Sequence, residues 1–174
     1  MSMTAASAAW PGHRALNELG SSGGIIISHS LLESPTVHGV ETCLPGDRIS
    51  LCVHFGGSIW MRKRSAFTNF EREGGIGSAT LSIGGDPQTI EYRTRRCEGV
   101  RFLMARRWFD ALLDDGTRSQ AVEFIDPQNQ QDCQLAVLGR MALLRSGSTP
   151  GDRLLADSIG FAVAGTVMRC WSNR

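Results

Sequence analysis

One short stretch constrains this chain more than any other. In residues 48–55, Ile49, Leu51, Val53 and Phe55 alternate with Arg48, Ser50, Cys52 and His54, and successive side chains of a strand point to opposite faces. The period of two predicts a β-strand with one apolar face. Gly56 and Gly57 follow and lead into the run Ser58-Ile-Trp-Met-Arg-Lys63. A Gly-Gly pair suits a primed two-residue turn, which needs positive φ. The pattern predicts a tight hairpin in which Val53 faces Trp60 and Leu51 faces Arg62, with Trp60 packed and Arg62 at the rim or inside.

Further strands are predicted over residues 25–32, 79–83, 89–94 and 100–105, with turn chemistry at Pro45-Gly46-Asp47 and Gly84-Gly85-Asp86-Pro87. Residues 64–77 read as a longer connection. Turns recurring about every 10 residues predict an antiparallel barrel or sandwich rather than alternating β-α units.

After residue 105 the period changes. Trp108, Phe109, Leu112 and Leu113 have the spacing of a short amphipathic helix that ends at Asp114-Asp115-Gly116. Asp126-Pro127 reads as a cap followed by a proline at the first helical position, opening a helix through Arg145, and Thr149-Pro150 repeats the signal. In the last segment Leu155, Ile159, Ala162, Val163, Thr166, Val167 and Cys170 form one stripe at helical spacing. Two antiparallel helices are therefore expected, and so small a pair must cover the sheet, another chain, or both. Residues 1–24, rich in Ala, Ser and Gly, read as a flexible arm. The expected division is an arm at 1–24, a β unit with its short helix at 25–116, and a helix pair at 126–174.

The length of 174 residues fits one domain. Lys and Arg at 18 nearly balance Asp and Glu at 17, so the basic footprint of a free-standing DNA binder is missing. No run approaches the roughly 20 apolar residues that cross a bilayer, and a cytoplasmic protein without membrane contact is expected. The five cysteines, Cys43, Cys52, Cys97, Cys133 and Cys170, include no CxxC pair and read as reduced, bystander thiols.

Metal and catalytic chemistry find little support. A cupin-type metal site begins with closely spaced imidazoles, whereas His13, His29, His38 and His54 are nowhere two apart. His38, Glu41 and His54 are the nearest approach to a ligand set, and the expectation is no metal and no cofactor. Gly20-Ser21-Ser22-Gly23-Gly24 fits a nucleophile-elbow pattern but lacks the strand before it and the helix after it. Gly74-Gly75-Ile76-Gly77 leads into a strand rather than a helix and reads as a turn. Arg62-Lys63-Arg64, Arg95-Arg96 and Arg106-Arg107 read as solvated charges. No carboxylate pair stands out for acid-base work, no catalytic residue is assigned, and the chain is expected not to be an enzyme.

Laid out in this way, the chain resembles the N-terminal sensing half of AraC-family transcription regulators over roughly residues 25–174. The likeness rests on the β series from His29 to Tyr92 and on Gly99-Val-Arg-Phe-Leu-Met-Ala105 running into Trp108-Phe-Asp-Ala-Leu-Leu113. The helical part carries it furthest, with Asp126-Pro127, Asp152-Arg-Leu-Leu-Ala-Asp-Ser-Ile159 and Val167-Met-Arg-Cys-Trp171. The resemblance implies a bacterial protein that is mostly β with added α. It would have an antiparallel cupin-like barrel, of the double-stranded β-helix or jelly-roll kind, followed by a pair of antiparallel helices. It further implies a small effector held in the barrel and a homodimer formed by the helices. DNA would be contacted only through helix-turn-helix motifs, which would begin beyond Arg174; the chain would then be an excised domain or a shortened gene product. Trp60, Arg62 and Tyr92 are the expected ligand contacts, since a ligand site pairs apolar walls with few polar anchors. Leu155, Ile159, Val163 and Val167 are the expected dimer contacts. Two other readings stay open: a small metal-dependent cupin enzyme such as an isomerase or dioxygenase, and a truncated subunit that titrates full-length partners.

Overall fold

The computed structural model describes residues 11–22, 24–66, 68–112, 124, 130–144 and 149–172. Among these residues the chain runs β1 (His13–Ser22), β2 (Ile25–Thr42), β3 (Arg48–Gly56), β4 (Ile59–Arg64), β5 (Asn69–Gly74), β6 (Ser78–Ile83), β7 (Gln88–Ala105) and α1 (Arg106–Leu112). It then continues through β8 (Gln130–Gln131), α2 (Cys133–Leu144) and α3 (Pro150–Cys170).

The frame is the antiparallel pair β2–β7, 18 residues in each strand. The strands expected at 89–94 and 100–105 are one. Burial alternates along β7 from Gln88 to Thr94 and is interrupted at Arg95-Arg96, both exposed, and that phase slip imitates a break. Opposite it, the register of β2 steps from Ser34↔Thr94 to His38↔Tyr92. Pro35 lies in this irregular stretch, where a residue without an N–H costs the ladder nothing, and a bulge bends the strand that carries it.

The second edge of β7 is divided between two partners. β3 pairs with its Glu98–Ala105 half and β4 with Thr89–Arg93. The expected β3–β4 hairpin is therefore corrected: β3 lies between β7 and β6, and β4 between β7 and β5. The edge of β7 is longer than β3, and after Gly56 the chain passes on to the unused part instead of folding back. Gly57 makes the passage possible with φ +80°; a Cβ there would lie 1.9 Å from the Arg96 carbonyl oxygen.

Three other expectations are corrected. The sheet is not a closed barrel: its path runs β1-β2-β7-β3-β6-β8, with β4 and β5 branching from β7. Residues 64–77 are not one long connection, because β5 lies within them. Residues 13–22 of the expected arm form β1, paired with β2 from His13↔Leu32 to Ser22↔Ile25, and Tyr92 Oη donates to the Pro11 carbonyl at 2.8 Å. Residues 1–10 lie outside the described residues.

The two larger helices cover the apolar face of β3. Ile49, Leu51 and Val53 are fully buried in one cluster with Ile25, Phe102, Leu135, Ile159, Val163 and Val167. The capping box expected at Thr149-Pro150 is present: Thr149 Oγ1 accepts from the Asp152 N–H, and the Asp152 carboxylate accepts from the Thr149 N–H. α2 starts at Cys133 with Asp132 Oδ1 accepting from the N–H groups of Gln134 and Leu135; the expected start at Asp126-Pro127 lies outside the described residues. The stripe assigned to dimerisation is corrected as well. Ile159, Val163 and Val167 are buried within the chain, and half-buried Leu155 packs against the same cluster, because the apolar sheet face needs this cover. The exposed apolar side chains of the pair are Val137, Met141, Leu144, Leu154 and Phe161. Among the described residues no helix is long and apolar enough to cross a membrane.

Candidate functional site

Because the apolar face of β3 is turned to the helices, its polar face looks the other way, into the fold of the bent sheet. Register aligns the inner side chains in rows. Thr80, Cys52 and Arg101 are lateral neighbours on β6, β3 and β7; Ser82, Ser50 and Leu103 form the next row, and His54 and Gly99 the row on the other side. Facing them are Ile59 and Met61 of β4, Ile90 of β7 and Leu32 of β2. The two halves are close: Lys63 of β4, 2% exposed, donates from Nζ to the Leu81 carbonyl of β6 at 2.8 Å, although these strands are not paired. Between them lies a cavity of about 480 Å³, within the size range of small-molecule sites. Its rim includes Thr42, Cys43, Leu44, Pro45 and Arg48.

Among the described residues no Asp or Glu lines this cavity. Arg48 has Asp47 at 3.8 Å. Arg101 donates from Nε to Ser50 Oγ at 2.9 Å, and no carboxylate pairs with it among the described residues. Its charge is felt nearby. Burial and then the Arg101 guanidinium hold the His13 imidazole below its ordinary value. Burial pushes the Cys52 thiol up to about 11, against an opposing pull from Arg101. Cys97 is pushed up to about 12 by burial, then by Cys52 and Glu98. Cys52 and Cys97 are therefore protonated at neutral pH, which removes thiolate chemistry from them. Two buried polar atoms on the wall, Thr80 Oγ1 and Gln88 Oε1, have no hydrogen-bond partner among the described residues. His54 meets Ser78 Oγ at 3.1 Å through Nδ1.

The expected contacts Trp60, Arg62 and Tyr92 do not line the cavity. The register inferred from a hairpin inverted the phase of β4, whose inward residues are Ile59, Met61 and Lys63. Trp60 Nε1 donates to Glu71 at 3.2 Å, and Arg62 bonds Glu71 and Glu91, each at 3.0 Å, with its guanidinium 5.4 Å from the Trp60 ring centre. Tyr92 belongs to a second buried cluster with Ile59, Met61 and Phe70. His38, Glu41 and His54 do not converge. His38 meets Thr36 Oγ1, Glu41 is exposed, and His54 lies by Ser78, so the described residues form no group of three metal-ligating side chains. Of the missed residues Ser50, Thr80, Gln88 and Arg101, the first two carried a signal in the sequence. Small hydroxyl and thiol side chains recur at every second position in Ser50-x-Cys52, Thr80-x-Ser82 and Ser28-x-Ser30, which marks a wet inner face rather than a solvent face.

No protein-family profile matches the chain. No curated protein matches it either. Solved structures similar to it include an oxalate decarboxylase from Bacillus subtilis, at 13% identity and TM-score 0.40 over 48% of this chain and 22% of that one. Another is the Lactobacillus farciminis oxalate decarboxylase, at 14%, 0.39, 49% and 25%. A third is KdgF from Halomonas sp., at 10%, 0.43, 60% and 88%. The chain spans a quarter or less of the length of those oxalate decarboxylases. These are cupin-fold proteins, and likeness at this level carries nothing about the chemistry of this chain. It does correct one expectation. With decarboxylases among the similar structures, the chain is not set apart from enzymes as the sequence reading had it.

Proposed function

We propose that this chain is a small-molecule sensing domain of the AraC regulatory type, with the effector held in the cavity between the two halves of the sheet. The observation that carries the reading is the cavity itself: about 480 Å³, walled on one side by aliphatic side chains, with two buried polar atoms that have no partner among the described residues. Buried polar groups are ordinarily satisfied, and a bound molecule would satisfy these. The two C-terminal helices fit the same reading, since they rest on the back of the wall that carries Ser50 and Cys52. A ligand would bias arrangements of wall and helices only by its differential affinity for them. Pairing of two copies would use the exposed side of the helices, at Val137, Met141, Leu144, Leu154 and Phe161.

A thermal-shift screen of small metabolites tests this. A compound at 100 times its Kd adds about 2.7 kcal/mol, a shift of several degrees. Met61→Trp places an indole in the cavity and should abolish every such shift. Compounds that stabilise the variant as well as the parent would remove the cavity as the site, as would a broad screen with no hit.

A further inference from the structure

We infer that the cavity is built for a monocarboxylate with an apolar body, its carboxylate paired with Arg101. The inference rests on the cavity being a ligand site and adds the class of ligand. Charge comes first. Among the described residues the cavity lining holds two guanidinium groups and no carboxylate, and Arg48 at the rim has Asp47 beside it. Among the described residues that leaves one uncompensated cation in the lining, Arg101, in the middle row of the wall on the strand shared by both halves. A single guanidinium fork matches one planar carboxylate, and such charge-assisted pairs are among the stronger hydrogen bonds.

Orphaned polar atoms come second. Thr80 is 6% exposed and shares the row of Arg101, with Cys52 between them, and its hydroxyl has no partner among the described residues. A carboxylate on Arg101 would accept from that hydroxyl. Ser50 Oγ, which accepts from Arg101 Nε, keeps its own proton to give. The neutral state favoured at His13 leaves Arg101 as the charge to be met. The facing wall sets the rest of the molecule, because Leu32, Ile59, Met61 and Ile90 offer it only carbon and sulfur. A compact dianion would meet one free cation and an aliphatic wall.

Titration calorimetry on the whole chain tests this with hexanoate, octanoate and phenylacetate, their neutral amides, and acetate as a head group without a body. The expected result is that at least one of the three larger acids binds about tenfold or more tightly than its amide and than acetate. Arg101→Gln should lose about tenfold for the acid and nothing for the amide, with Arg101→Lys in between. Thr80→Val gives a second route if the Arg101 variants fold poorly. It removes an unpartnered hydroxyl, so the empty protein should melt no lower than the parent while the acid binds more weakly. Amides that bind as well as acids, or acid affinity unchanged in Arg101→Gln and Thr80→Val, would overturn the carboxylate assignment and leave the cavity as a ligand site. If neither the acids and amides nor any screened metabolite binds, both readings fall.

Discussion

The rings of Trp108 and Phe161 lie flat on each other, 4.5 Å between centres and 6° from parallel, and so join α1 to α3. They meet there because Gly160 has no side chain. A Cβ on Gly160 would sit 2.5 Å from Ile25 Cδ1 and 2.8 Å from Trp108 Cζ3. Replacing a mid-helix glycine by alanine ordinarily gains up to about 1 kcal/mol, but overpacking costs about 1–3 kcal/mol. Gly160→Ala should therefore destabilise the protein in denaturant titration. Gly165→Ala, on the same helix with nothing within 4 Å of the added carbon, should stabilise it. The same sign for both would show that α3 does not sit against the sheet in this way.

The assignment of the α3 stripe has its own test. Ile159 is 3% exposed and Leu154 69%, five positions apart on one helix. Ile159→Glu buries a charge among Ile25, Phe102 and Val163, a change that costs several kcal/mol, and should leave little folded protein by circular dichroism. Leu154→Glu should fold normally, and light scattering on it reads whether this face joins two copies. A folded, monomeric Ile159→Glu would restore the stripe as an interface.

Thiol reactivity separates the five cysteines. Cys43, Cys133 and Cys170 are exposed, whereas Cys97 is buried and Cys52 largely so. At pH 8 an alkylating reagent should modify three thiols quickly and two slowly, counted by mass spectrometry. Cys43 stands on the cavity rim, so a bound ligand should slow its reaction alone among the fast three. Rapid reaction of Cys52 or Cys97 would contradict their protonated, enclosed state.

The same two thiols predict an alkaline loss of stability. Each titrates at 9.0 when exposed, and in the folded chain at about 11 for Cys52 and about 12 for Cys97. Above pH 9 the unfolded chain sheds protons that the folded chain keeps, so their contribution is intact below 9 and declines from there toward 12. The double variant Cys52→Ala/Cys97→Ala should show a flatter decline over this window in urea midpoints.

On the acid side His13 sets the opposite slope. Its folded value lies below the ordinary 6.5, through burial and Arg101. Its contribution is present above pH 6.5 and is lost as the pH falls through the folded value, because the unfolded chain takes up the proton first. His13→Gln should remove that part of the acid slope; an unchanged slope would place His13 away from the guanidinium.

Local chemistry in the sequence was enough to find most elements. The alternation at 48–55 made β3, and the Thr149-Pro150 signal started α3 with its capping box. What pairs with what was not legible, because pairing depends on edges offered by distant segments. The β3–β4 hairpin failed for this reason, and with it the phase of β4, so Trp60 and Arg62 were read as inward when Ile59 and Met61 are. Arg101 was passed over because its neighbours in sequence, Val100 and Phe102, face the helices, and a charged residue between two core positions reads as solvent-facing. Only the fold reveals that the far side of the wall encloses a cavity.

Both walls draw on β7: Arg101 stands on the part shared with β3, and Ile90 on the part shared with β4. Single-residue insertions between these two positions would reverse the facing of one relative to the other. The length of this strand is therefore locked, and any new specificity must arise by substitution at its cavity-facing positions.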